Sequence, residues 1–112
     1  MNRRIFALSI GLALAALLAP HSAFADDHLA EAISHTKKAL DHGKQGHADV
    51  LVTHAQAALK HAEAAEKAMN NPHIKEGITQ LKVSIVEGKK DEVTTAIGHA
   101  IEALTHLEAV QQ

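Results

Sequence analysis

The sequence has no cysteine, tryptophan or tyrosine, and only two phenylalanines. Without cysteine, neither a disulfide framework nor thiolate chemistry is available to the protein. Both phenylalanines and both arginines lie within the first 25 residues, at Phe6, Phe24, Arg3 and Arg4. From residue 26 onward, lysine is therefore the only basic side chain besides histidine. Because recognition of phosphates and bases depends on arginine and on aromatic stacking, we expect no nucleic-acid partner.

The first 25 residues have the three parts of a secretory signal peptide. A short basic start precedes an apolar run from Ile5 to Ala19, and an Ala-x-Ala sequence ends at Ala25. The alternative is a membrane-spanning helix, but the run is shorter than the roughly 20 residues that a span needs, and Pro20 interrupts its end. We therefore predict that residues 1–25 are removed, that the protein is exported to the periplasm, and that the mature chain has no membrane attachment.

A duplication organises the remaining domain, residues 26–112. Shifting the sequence by 45 residues aligns one unit, residues 28–66, with a second unit, residues 73–111, without a gap. The matching segments include His28-Leu29-Ala30-Glu31 with His73-Ile74-Lys75-Glu76, and Leu59-x-His61-x-Glu63-Ala64 with Leu104-x-His106-x-Glu108-Ala109. Such a repeat indicates that each unit buries its apolar face against the other. Because a small domain without aromatic rings has a modest core, its stability depends on helix packing or on a ligand.

Helical spacing is the main structural signal in each unit. Residues suited to a core recur three and four positions apart, at Leu29, Ile33, Thr36 and Leu40 and then at Leu51, Ala55, Ala58 and Ala62. Gly43 and Gly88 are predicted helix stops, and Asp91 is a predicted helix start. Between the units, Asn70-Asn71-Pro72 predicts an N-cap followed by a first-turn proline.

These signals predict four helices, near residues 27–42, 47–69, 72–87 and 91–110. Loops this short favour antiparallel neighbours. The predicted fold class is all-α, an up-down antiparallel four-helix bundle built from a duplicated helical hairpin. We expect a monomer, with two extended hairpins that associate between chains as the alternative arrangement.

Nine histidines follow residue 25, and most lie at regular intervals. Members of a row are seven residues apart: His28, His35 and His42, then His47, His54 and His61, and finally His99 and His106. Seven residues is nearly two helical turns, so each row follows one helix face. The rise of about 10.5 Å is too long for two histidines of one row to share an ion through bonds of about 2 Å. A partner ligand must therefore come from the neighbouring helix.

An antiparallel hairpin that turns between Lys44 and Gln45 places histidines of its two helices at matching heights. We call each such cross-helix pair a rung. The predicted rungs of the first unit are His42 with His47, His35 with His54, and His28 with His61. In the second unit, the same register pairs His73 with His106, Gln80 with His99, and Glu87 with Glu92. The second unit thus keeps one complete histidine rung.

The ligand set indicates a class of metal ion. Imidazole and carboxylate without thiolate suit Cu(II), Ni(II) and Zn(II), and the usual affinity order puts Cu(II) first. A rung of two histidines leaves positions for water, for another molecule, or for carboxylates such as Glu31, Glu76 and Glu102. We expect exchangeable sites that buffer metal rather than a structural zinc centre. A pH-sensing role would use the same histidines through their titration near pH 6.5.

Other functions have less support in the sequence. The signatures of di-iron bundles, zinc proteases and covalently attached haem are absent, and we expect no enzyme. The first alternative is a periplasmic helical chaperone or stress protein whose histidines respond to pH. The second is a b-type haem bundle, but Met69, the sole methionine after residue 25, lies near a predicted helix end. No protein partner is predicted.

Two segments resemble the bacterial small metal-binding proteins, which are periplasmic, histidine-rich four-helix bundles. They are Ala39-Leu40-Asp41-His42-Gly43-Lys44-Gln45-Gly46-His47 and Leu59-Lys60-His61-Ala62-Glu63. The resemblance extends over residues 27–110, and the His-Gly-Lys-x-Gly-His turn is its most specific element. It implies reversible binding of several divalent metals and a role in copper handling or scavenging. The ligands it implies are His28, His35, His42, His47, His54, His61, His73, His99 and His106. This chain departs from the pattern at Gln80, Glu87 and Glu92.

Overall fold

The computed structural model describes residues 22–111, and within them the chain forms four α-helices. Their bounds are Ser22–Lys44 for α1, Ala48–Met69 for α2, Pro72–Lys89 for α3 and Val93–Ala109 for α4. Helix α1 packs on α2 and α3 packs on α4, while α2 against α3 and α1 against α4 close the bundle. The predicted all-α bundle of two helical hairpins is confirmed.

The core consists of small aliphatic side chains from all four helices. Every predicted core position is buried, namely Leu29, Ile33, Thr36, Leu40, Leu51, Ala55, Ala58 and Ala62. Five of the seven buried residues of helix α2 are alanines, whose short side chains allow neighbouring helices to approach closely. The larger fully buried side chains, Leu29, Leu51, Ile74, Leu81 and Leu107, fill the space between the alanines.

Two glycines predicted as helix stops have a different role in the structure. Each helix continues one residue past its glycine, to Lys44 and to Lys89. Both glycines are buried, and a Cβ atom at Gly43 would lie 2.6 Å from Cδ1 of Leu51. At Gly88 it would lie 2.6 Å from Cγ2 of Val52. Neither Gly43 nor Gly88 ends its helix, because glycine is used at both positions for close approach to the packed side chains of α2. The glycine that follows α1 in the left-handed conformation is Gly46.

The turn inside each hairpin has the same backbone form. In both, the residue before the second helix donates its N–H to the carbonyl five residues earlier, at 3.0 Å in the first turn and 2.9 Å in the second. The left-handed position is Gly46, with φ 86°, in the first turn and Asp91, with φ 61°, in the second. Asp91 is therefore not the predicted helix start. Glu92 is the N-cap of α4, without a side-chain capping hydrogen bond.

The link between the two hairpins agrees with the sequence prediction. Asn70 ends α2 in a left-handed conformation, with φ 50°. Oδ1 of Asn71 accepts a hydrogen bond from the backbone N–H of His73 at 2.8 Å, and Pro72 occupies the first turn of α3. This N-cap and proline satisfy or remove backbone donors that would otherwise lack partners.

Helix α1 is longer at its N-terminus than the predicted start near residue 27. It is described from Ser22, so the last residues before the proposed cleavage point, including the buried Ala25, are helical. The basic start and the apolar run of the predicted signal peptide lie outside the described residues. No helix in the described part of the chain is both long enough and apolar enough to span a bilayer.

Candidate metal centre

Two predicted rungs of the first hairpin bring imidazole nitrogens face to face. The Nδ1 atoms of His28 and His61 lie 3.0 Å apart, and those of His35 and His54 lie 3.3 Å apart. All four side chains are half-buried between α1 and α2. The hairpin register read from the sequence therefore places these four residues correctly.

The second hairpin contains one rung of the same kind. The Nδ1 atoms of His73 and His106 lie 3.2 Å apart at the more exposed end of α3 and α4. At the next rung, Nδ1 of His99 donates a hydrogen bond to Oε1 of Gln80 at 2.7 Å. An amide oxygen thus stands where the first hairpin has a second imidazole, which leaves this rung with a single nitrogen ligand.

In neither hairpin does a hydrogen bond join the two side chains of the rung nearest the turn. His42 and His47 have ring centroids 6.2 Å apart, and His47 is the exposed N-cap of α2, without a capping hydrogen bond. Nδ1 of His42 is buried and has no hydrogen-bond partner among the described residues. In the second hairpin, Glu87 forms an ion pair with Lys90 at 3.5 Å. The buried Nδ1 atom of His42 thus forms no cross-helix nitrogen pair of the kind seen at the other histidine rungs. Coordination to a metal ion would give this buried polar atom a partner.

The three Nδ1–Nδ1 distances match the spacing of two ligands on one ion. Nitrogens bound to a metal at about 2.0–2.1 Å are about 2.8–3.4 Å apart when the bond angle lies between the square-planar and tetrahedral values. The observed distances of 3.0, 3.3 and 3.2 Å fall in that range. In the metal-free protein, one neutral ring donates its Nδ1–H to the other. An ion can take the place of that proton when the proton shifts to Nε2 of the same ring, since a neutral imidazole carries a single ring proton.

Rings of successive rungs also stack on one another, which the sequence analysis missed. His35 and His61 have centroids 5.8 Å apart with ring planes at 7°, and His42 and His54 have centroids 5.4 Å apart with planes at 9°. The six imidazoles of the first hairpin form one continuous row of neighbouring rings, which we call the histidine array, in the order His47, His42, His54, His35, His61, His28. The rings of the two end pairs are tilted to one another, at 36° and 35°. Side chains of antiparallel helices tilt in opposite directions, so a ring from one helix lies between two rings of the other.

One carboxylate joins the histidine array. Glu31, His35 and His61 each offer a ligand atom, and these three atoms lie within 4.8 Å of one another. Oε2 of Glu31 is 3.9 Å from Nε2 of His35, one turn further along α1. This group takes one histidine from each of two predicted rungs. Among the described residues, neither Glu76 nor Glu102 belongs to such a group.

The electrostatic setting of the array favours neutral imidazole at its centre. Burial lowers the pKa of His54 below its ordinary value of 6.5, and the charges of His35, His42 and Lys38 lower it further. A histidine must be neutral to bind a metal, because the proton and the ion compete for the same lone pair. The lowered pKa keeps His54 available as a ligand at mildly acidic pH.

With this geometry in view, comparison with known protein families is informative. The family model described as small metal-binding protein matches residues 2–110, almost the whole chain. The chain belongs to the small metal-binding protein family. A comparison with curated proteins found no match. Family membership and the group formed by Glu31, His35 and His61 both indicate a metal ion as the ligand of this small metal-binding protein.

Proposed function

We propose that the protein is a periplasmic, non-enzymatic metal-binding protein that buffers or scavenges divalent transition metals, with Cu(II) preferred over Ni(II) and Zn(II). The observation that carries this proposal is the set of three imidazole pairs whose Nδ1 atoms are 3.0–3.3 Å apart. That spacing suits two ligands of one ion, and it recurs in both hairpins. Copper is preferred because divalent ions bound by nitrogen and oxygen ligands follow an affinity order that peaks at Cu(II).

The proposed ligands are the nine histidines that follow residue 25. Those of the histidine array form the main binding surface, and Glu31 supplies a carboxylate to it. The rung of His73 with His106 is a further site, and His99 with Gln80 is a weaker one. A site built on two imidazoles leaves the other coordination positions to water or to an exchanging molecule, which suits reversible binding.

Export and the lack of catalysis are parts of the same proposal. The N-terminal pattern that ends at Ala25 supports secretion. A half-buried row of like ligands between two helices offers neither an enclosed substrate pocket nor an ordered nucleophile and base. These features favour binding over turnover.

Metal retention tests the proposal directly. The mature chain is dialysed against Cu(II), then against buffer, and the retained metal is measured by elemental analysis. We expect more than one ion per chain for the wild type and a large loss when the six histidines of the array are replaced by glutamine. Circular dichroism confirms that helices are retained, and a variant with six exposed lysines replaced by glutamine is the matched control. Retention of less than one ion by the wild type would favour the chaperone alternative.

A further inference from the structure

The proposed cleavage after Ala25 creates a new chemical group, which the precursor lacks. The mature chain would begin Asp26-Asp27-His28, with a free α-amine on Asp26. A free amine two residues before a histidine can surround one ion with four nitrogens. These are the α-amino nitrogen, the amide nitrogens of Asp27 and His28, and Nδ1 of the imidazole. Four nitrogens in a plane suit Cu(II) and Ni(II), which favour square-planar geometry.

The position of these residues on α1 makes the backbone nitrogens accessible. In the helix that starts at Ser22, the amides of Asp27 and His28 have acceptors four residues earlier. Removal of residues up to Ala25 deletes those acceptors, and the first four N–H groups of a helix have no intrahelical partner. The side chains of Asp26 and Asp27 are exposed. The two amide nitrogens that the ion would bind are therefore free of intrahelical hydrogen bonds in the mature helix.

The imidazole of His28 connects such a site to the histidine array. Its Nδ1 atom, which the chelate requires, lies 3.0 Å from Nδ1 of His61. The ring of His61 in turn lies 5.8 Å from that of His35. The N-terminal ligands are thus at one end of the histidine array, and the imidazole of His61 adjoins the atom that would bind the ion.

We propose that the mature N-terminus, Asp26-Asp27-His28, is a four-nitrogen site for Cu(II) or Ni(II) at the end of the histidine array, in which Nδ1 of His28 binds this ion instead of one shared with His61. This inference rests on the proposed function, since it requires export and cleavage after Ala25. Binding releases one proton from the α-ammonium group and one from each of the two amides, while His28 donates its Nδ1 lone pair and keeps its proton on Nε2. The ion keeps its oxidation state. Zn(II), which favours tetrahedral coordination, does not form this site.

The test uses protein exported from the full precursor, with its mass measured to locate the cut. Asp27→Pro removes an amide proton that the site must lose, and proline is tolerated in the first turn of a helix. Asp49→Pro is the matched control, because Asp49 is an exposed first-turn residue of α2. Acetylation of the α-amine of the wild type is a second way to block the site without changing the sequence.

Each protein is titrated with Ni(II) and with Cu(II). We expect the wild type and Asp49→Pro to bind one square-planar ion per chain, seen as a yellow diamagnetic Ni(II) complex and as coupling to four nitrogens in the Cu(II) electron paramagnetic resonance spectrum. Asp27→Pro and the acetylated protein should lose this signal and still bind Cu(II) through the array. If they keep the signal, or if the mature chain does not begin at Asp26, the inference is wrong and the proposed function stands. If the wild type retains no metal at all, both fail.

Discussion

The two hairpins share one backbone and differ in what they place on it. Their turns use the same hydrogen bonds, and each has a glycine packed against α2 at the same point. Yet the first hairpin carries a row of six neighbouring imidazoles, whereas the second has Gln80 in one rung and glutamates at its turn. Even the core differs, because Ser84 donates a buried hydrogen bond to the carbonyl of Ala96 at 2.7 Å, where the first hairpin has Ala39 and Leu51. The fold therefore depends on the shared small residues, and the metal ligands can vary without changing it.

The largest effect should come from the shared glycines. Gly43→Ala and Gly88→Ala each place a Cβ atom 2.6 Å from a packed side chain, so each should lower the free energy of unfolding by about 1–3 kcal/mol. Gly98→Ala is the control, since nothing lies within 4 Å of its Cβ position, and it should stabilise the helix by about 0.5–1 kcal/mol. Thermal and urea unfolding measure all three. Equal stability of the three variants would mean that the hairpins are not held by close approach at the glycines.

The second largest effect should be the loss of Cu(II) affinity when histidines of a rung are replaced, and it shows whether the two histidines bind one ion together or bind independently. His35→Ala should weaken Cu(II) binding at its rung tenfold or more, about 1.4 kcal/mol, and adding His54→Ala should cost little more, because both residues bind the same ion. Adding His106→Ala instead affects the other hairpin, so the two losses should add. Calorimetric titration of the single and double variants gives the coupling. Additive losses for His35 with His54 would show that each histidine binds alone.

The third experiment makes the second hairpin more like the first. Gln80→His restores an imidazole opposite His99, whose Nδ1 now lies 2.7 Å from the glutamine oxygen. We expect one additional Cu(II) ion per chain, or a clear rise in affinity at that rung, because two nitrogens replace one. Gln56→His, at an exposed position away from the rungs, is the control for adding a histidine. If both variants bind metal equally, rung geometry does not determine binding.

The smallest effect should be on the pH dependence of the free energy of unfolding of the metal-free protein. Because the pKa of His54 is lowered in the folded state, the unfolded chain binds a proton more readily, and the associated stability is present above pH 6.5 and is lost as the pH falls below it. His54→Gln should therefore make the free energy of unfolding less dependent on pH in this range. Urea unfolding at several pH values measures the slope, with Gln56→Ala as control. An unchanged slope in His54→Gln would contradict the assigned pKa shift.

Much of the fold could be predicted because its signals are local. Helical spacing at Leu29, Ile33 and Leu40 identifies the buried face of α1, and Asn71 with Pro72 marks the start of α3. The register of His35 with His54 follows from their equal distances to a short turn. Gly43 was misread because a buried glycine and a terminating glycine are the same in sequence. Only its neighbours across the interface distinguish them.

The sequence by itself determined the four helices, the duplication and the pairing of histidines across a hairpin, because helical rise and turn position fix heights along an axis. Only the tertiary structure decided that successive rungs stack into one array and that Glu31 joins His35 and His61. It also decided that His42 lies closer to His54 than to His47. These contacts depend on side-chain tilt and on the sideways distance between helices, and packing of the whole bundle sets both.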